Sequence, residues 1–282
     1  MVEGGAQKGL SAKLDKKRKR QAEESTKQEK PDTAAAAAPA TGDGQSKRSK
    51  KLKKNKKKAQ AEQDVTSQDR KDGIDESIGK MDGRLLADYF AQRAKKLDKE
   101  ISAVELGDLS VPDSVFLDTS SFSEKRSLEN LPAFLTSFAP KGADLSKASE
   151  QKGTPHTLVI SAAALRAADV VRALRSFQTK ESIVGKLFAK HIKLEEAKQF
   201  LQRARTGIGA GTPTRVSDLI ESGTLNLNEL ERIVIDGSHI DQKQRGIFDM
   251  KETHLPLLKL LTRPELRERY DAKKKPLQIL MF

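Results

Sequence analysis

From Pro155 to the end of the chain, short apolar runs alternate with segments whose apolar residues recur every three or four positions. HTLVISA, from His156, is β-branched and bounded by Pro155 and small residues, the pattern of a buried strand. ALRAADVVRALRSF follows as a helix, with Leu165, Ala168, Val171 and Leu174 expected on its inner side. IVGKLFAKH predicts a second strand, and LEEAKQFLQRA a helix with Leu194, Ala197, Phe200 and Leu201 inward. TGIGAGTP reads as a glycine-rich strand running into a turn, and RVSDLIESG as a short helix ending at Gly223. ERIVIDG is a strand, HLPLLKLLTRPELRERY is helical, and LQILMF is a last apolar strand. Strands alternating with helices predict parallel βαβ units, here a three-layer α/β domain over residues 151–282. Ligands are expected at the carboxyl ends of its strands.

Upstream the pattern loosens. Asp82 precedes Leu85, Leu86, Tyr89, Phe90 and Leu97, spaced for one face of a helix with Asp82 as N-cap. The stretch VPDSVFLDTSSFSEKRSLENLPAFLTSF carries Val115, Phe116, Leu117, Phe122, Leu131, Phe134, Leu135 and Phe138. It predicts ordered loops and a short helix wrapping onto the core, so residues 81–150 read as an N-terminal helix and a wrapping segment. Residues 139–155 and 61–80 are polar and contain glycine. The first reads as flexible, the second as a linker.

Charge separates the remaining segment from the rest. Residues 1–60 hold 18 basic and 7 acidic residues, net +11, whereas the other 222 hold 35 and 33, net +2. The first 60 residues contain no aromatic side chain, and such a composition cannot bury enough apolar surface to offset its conformational entropy. Residues 1–80 are therefore expected to be a disordered basic tail and linker. One cluster is Lys16, Lys17, Arg18, Lys19 and Arg20; another, KRSKKLKKNKKK, includes Lys50, Lys51, Lys53, Lys54, Lys56, Lys57 and Lys58. Such runs read as nuclear localisation signals or nucleic-acid patches, the bland alternative being a solubilising tail. Lysine ammonium groups favour loose phosphate attraction over base-specific forks.

Several chemistries are excluded or unsupported. With no cysteine, disulfides and thiolate metal sites are ruled out, and the four histidines show no metal-ligand spacing. No apolar run approaches the roughly 20 residues of a membrane helix, and the N-terminus lacks a signal peptide's apolar stretch. An intracellular protein without membrane contact is expected. GIDESIGKM, from Gly73, fails as a phosphate loop: five residues separate its glycines, Met81 replaces the hydroxyl, and no strand precedes it. APKGADLS, from Ala139, lies where such a loop would belong but lacks a Gly-Lys pair. There is no GxSxG or HExxH, and Glu195-Glu196 reads as a solvated helix surface. No catalytic residue, metal, cofactor or small-molecule substrate is indicated. Asp236 ends a strand where a nucleotide hydrolase would carry Asp-Glu, with Gly237 in the glutamate's place. A metal site and a cap on the following turn stay equally open for it.

Taken together, the ordered blocks from Thr157 to Phe282 resemble the first RecA-like domain of DEAD-box RNA helicases. TLVISAAALRAADVV is similar to the segment carrying the PTREL element, GIGAGTPTRVSDLI to that carrying TPGR, LERIVIDGSHID to the strand ending in DEAD, and LQILMF to the strand leading into SAT. More specifically, these strings, with ENLPAFLTSF and the lysine-rich tail, resemble the Cms family, the U3-containing 90S pre-ribosomal complex subunits. The resemblance implies a non-catalytic pseudo-helicase of the nucleus and nucleolus. It would bind pre-rRNA or small nucleolar RNA, and pre-ribosomal proteins of the early small-subunit particle. It also implies that Thr212, Pro213 and Arg215, aided by Arg203 and Arg205, contact the RNA backbone. For Arg215 a structural turn with a local carboxylate is an equal alternative. Competing readings are an NTPase completed by a partner, and a chromatin- or DNA-associated nuclear factor.

Overall fold

The computed structural model describes residues 70–282, so the disorder expected for the tail and both of its basic clusters lie outside the described residues. A five-stranded sheet organises the rest, in spatial order β4-β5-β3-β6-β7 and parallel throughout. Its strands are β3 (Thr157–Ile160), β4 (Ile183–Leu187), β5 (Thr206–Gly211), β6 (Arg232–Ile235) and β7 (Gln278–Met281), following a small hairpin of β1 (Arg70–Lys71) and β2 (Ile74–Asp75). The helices are α1 (Gly83–Leu97), α2 (Ala103–Asp108), α3 (Leu131–Ser137), α4 (Ala164–Ala173), α5 (Leu194–Arg203), α6 (Pro213–Glu221), α7 (Lys251–Leu261) and α8 (Pro264–Tyr270). All five strands of the sheet were legible in the sequence, β5 as a glycine-rich run.

Alternate strand residues face opposite ways and build two cores. Leu158, Ile160, Ile233, Ile235 and Ile279 meet α1, α5, α6, α7 and α8 on one face. Val159, Val184, Ile208, Val234 and Leu280 meet α3 and α4 on the other. The three-layer α/β fold expected from the sequence is borne out. The glycines of β5 let its neighbour approach closely: a Cβ on Gly211 would lie 2.1 Å from the Leu187 carbonyl oxygen.

Five expectations change. Leu165 is 59% exposed, because it sits two positions, about 200° of helical turn, from buried Ala167. The inward stripe of α4 is Ala167, Val170 and Val171, continued by Leu174. Leu85 is likewise exposed, while Leu86, Phe90 and Ala94 fill the inner face of α1, whose Asp82 cap accepts from the Leu85 N–H at 2.8 Å. The helix read through HLPLLKLLTRPELRERY breaks into α7 and α8, since Pro264 disfavours a helical Arg263. Of the linker expected over 61–80, residues 70–80 are instead ordered. Their hairpin bonds to the chain after β6 (Asp75 N–H to Ser238 O, 2.7 Å), and Ile78 is buried in the core. The polar stretch 139–155 also packs, with Leu145, Thr154 and Pro155 buried. The segment from α1 through α3 shares both cores with the sheet.

One buried group links this packing to pH. His254 on α7 lies edge-on to Phe90 and Phe248, and its Nε2 donates to the Phe90 carbonyl at 2.9 Å, while its buried Nδ1 has no partner. Burial pushes its pKa down from 6.5 to about 4. Between those values the unfolded chain binds a proton that the folded chain does not, so stability falls as pH falls through that window. The expected loss from pH 7.5 to 5 is about 2 kcal/mol from this residue. Burial lowers His156 and His239 in the same direction, so the wild type alone cannot apportion the slope. Urea midpoints of wild type and His254→Gln at the two pH values isolate it: equal pH slopes would rule out His254 as the source.

Candidate functional site

At the carboxyl end of the sheet, β3 and β6 are neighbours, and the first turn of α4 projects over the end of β6. This brings Arg166 onto Asp236 in a two-pronged ion pair, Nε to Oδ2 at 2.8 Å and Nη2 to Oδ1 at 2.9 Å. The carboxylate is 1% exposed, and both of its oxygens are engaged by the planar fork. The hydroxyls of Ser161, directly after β3, and Ser238, two positions after Asp236, are buried without hydrogen-bond partners. His239 is held low by burial and then by the Arg166 charge, against the pull of Asp236, which favours a neutral imidazole at neutral pH. Gly237 donates its N–H to the Phe282 carbonyl at 2.8 Å. A Cβ there would lie 2.7 Å from Met281 Cε, 3.0 Å from Phe248 Cε2 and 3.2 Å from Ile78 Cγ2. The glutamate position is filled by apolar packing.

Next to β7 lies part of the stretch that the sequence reads as ordered loops and a short helix, without placing it at the sheet. Phe116 pairs in parallel with Ile279, the Leu117 N–H donates to Ile279 O at 2.8 Å, and Thr119 Oγ1 donates to Met281 O at 3.1 Å. A loop then leads from this single bridge into α3, an order that approaches the strand–loop–helix of a phosphate loop. APKGADLS, the stretch considered for that place, follows α3 instead and packs Leu145 inward. A phosphate cradle turns backbone N–H groups towards an anion. This loop closes on its own cation. Arg126, 6% exposed, donates to the carbonyls of Thr119 (2.7 Å) and Gly79 (3.0 Å), to Thr119 Oγ1 (3.3 Å) and to the Met281 carbonyl. Its guanidinium lies 5.2 Å from the Phe134 ring centroid. Burial pushes its pKa down to about 10, so it stays charged at neutral pH. The signal in the sequence was weak: DTSSFSEKRS contains no glycine, only a Lys-Arg pair at the loop's end.

The five residues singled out for RNA do not form one site. Thr212 caps the carboxyl end of β5 by position, without a side-chain bond to the α6 backbone, and Pro213 opens that helix. The Arg215 guanidinium turns inward, donating to Ile192 O at 3.0 Å and lying 4.0 Å from Asp218. Arg203 and Arg205 flank the amino end of β5, roughly 20 Å away at the strand's rise per residue. Arg203 is exposed, while Arg205 holds the carbonyls of Ser149 and Ala148 at 2.9 and 3.0 Å. Among the described residues, no group of three His, Cys, Asp or Glu is placed to hold a metal ion. No described helix is long and apolar enough to cross a membrane.

Residues 11–282 match the CMS1 family, described as U3-containing 90S pre-ribosomal complex subunit. The chain belongs to this family. It is 51% identical over 219 residues to Protein CMS1 of Chaetomium thermophilum, covering 78% of this chain and 87% of that one. To Protein CMSS1 of Homo sapiens it is 30% identical over 197 residues, covering 70% of this chain and 64% of that one. Among solved structures, a DEAD box protein from the hyperthermophile Methanococcus jannaschii is similar at 16% identity and a TM-score of 0.33. That match covers 65% of this chain and 48% of the other. The Cms resemblance read from the sequence is borne out.

Proposed function

We propose that the protein is a non-catalytic, helicase-like subunit of the early small-subunit pre-ribosome, acting in the nucleolus through contacts with RNA and with other subunits. Membership of a family described as a 90S pre-ribosomal complex subunit supports the assembly role. The observation that carries the loss of catalysis is the Arg166–Asp236 pair. A carboxylate whose two oxygens are both held by a guanidinium is poorly placed to hold Mg²⁺. The filled space at Gly237 and the inward carbonyls around Arg126 support the same reading.

The test is hydrolysis of ATP by the purified full chain, wild type and Gly237→Glu. The variant restores the Asp-Glu sequence but drives a carboxylate against Met281, Phe248 and Ile78. It should cost about 1–3 kcal/mol of stability through overpacking and gain no turnover. Multiple turnover in either protein, abolished by Asp236→Ala, would establish an NTPase instead.

RNA contact rests on the exposed cations and the tail rather than on Arg215, whose guanidinium is occupied inside the fold. In-cell crosslinking with sequencing of the bound nucleic acid should recover small-subunit precursor or small nucleolar RNA. Recovery of DNA alone would move the protein to chromatin.

A further inference from the structure

The sheet ends at β4, whose outer edge is the floor of a groove between two helical walls. Val171 and Arg175, from α4 and the turn after it, form one wall; Ala197 and Phe200 of α5 form the other, and Val184 and Lys186 of β4 lie between them. The space measures about 400 Å³ and continues past Ile183, Glu196 and Phe200 into a second of about 650 Å³. Ile183 N–H and Leu187 C=O point inward, to Arg205 O and from Thr212 N–H. By the alternation of a strand, the backbone groups of Val184 and Lys186 point outward, to the open edge of the sheet. The groove is also strongly charged. Lys152, Arg175, Lys180, Lys186 and Arg203 line it, all exposed and none ion-paired among the described residues, against Glu181 and Glu196.

We propose that this groove docks an extended acidic peptide segment of a partner protein, which adds to β4 as a sixth strand. Free N–H and C=O groups on an edge supply main-chain bonds, and pockets beside the edge select alternate side chains. The apolar residues of the walls, Val171 on one side and Ala197 and Phe200 on the other, take the peptide's apolar side chains, and the five cations take its carboxylates. A nucleic-acid strand would use the charge but not the backbone ladder, and Phe200 alone is no stacking platform.

The probe is a displayed library of random 12-residue peptides panned on the full chain, with the enriched peptide then synthesised and labelled. Alternating apolar and acidic residues should be enriched, and binding should slow hydrogen exchange at the Val184 and Lys186 amides. Lys180→Glu with Arg203→Glu, both surface changes, should weaken binding at least about tenfold. Lys186→Pro, which removes an outward N–H tolerated as proline on an edge strand, should do the same. Enrichment of peptides without acidic residues, exchange protection elsewhere, or protection of these amides by a 12-nucleotide oligouridine in place of the peptide would each overturn the proposal.

Discussion

Arg166→Met is expected to destabilise the protein by about 3–5 kcal/mol, because it leaves the Asp236 carboxylate buried and unpaired. For a domain of this size that is a fall in melting temperature on the order of 10 °C. Asp236→Leu alone should be less harmful, since Arg166 is 12% exposed and can reach solvent. The double variant Arg166→Met with Asp236→Leu should recover most of the loss, because a packed apolar pair replaces an ion pair at little net cost. Urea denaturation of the four proteins gives the coupling energy directly. Additive losses would mean that the two side chains do not act as a pair, and Asp236 would again be available for other chemistry.

That pair also shows where reading the sequence stops. β3, β6 and β7 were legible as contiguous apolar runs, and β5 as a glycine-rich run ending in a turn, patterns that need no knowledge of partners. Asp236 was legible as a strand end, and Gly237 as the missing glutamate. Arg166 lies 70 positions before Asp236, and only the adjacency of β3 and β6 brings the two together. The sheet order crosses sequence order, so no local pattern encodes it. Arg215 shows the same limit in reverse. Its motif left an RNA contact and a structural turn equally open, and the Ile192 carbonyl, 23 positions away, holds it inside. The hairpin at Arg70–Asp75 reads as polar linker because its two strands have two residues each, too short for any periodicity. Its order comes from partners far along the chain: Arg70 bonds Asp75 and also reaches Asp249.

Arg126→Met is expected to cost about 2–4 kcal/mol, the scale of losing several charge-assisted hydrogen bonds to buried carbonyls. The residue joins three segments that otherwise meet only at the end of the sheet: Gly79 after the hairpin, Thr119 in its own loop and Met281 on β7. Arg126→Lys should recover less than half of the loss, since a single ammonium cannot reproduce the planar fork that spans those carbonyls. Proteolysis should then cleave first between residues 118 and 130, the loop that loses its anchor. Nucleotide binding separates two accounts of this loop. If Arg126 only plugs a sound phosphate cradle, Arg126→Ala should bind labelled ATP. If the loop has been rebuilt around a cation, with carbonyls facing in, the variant should lose stability and gain no affinity. The carbonyls of Gly79, Thr119 and Met281 converging on one guanidinium favour the second outcome. Saturable ATP binding by Arg126→Ala would decide for the first.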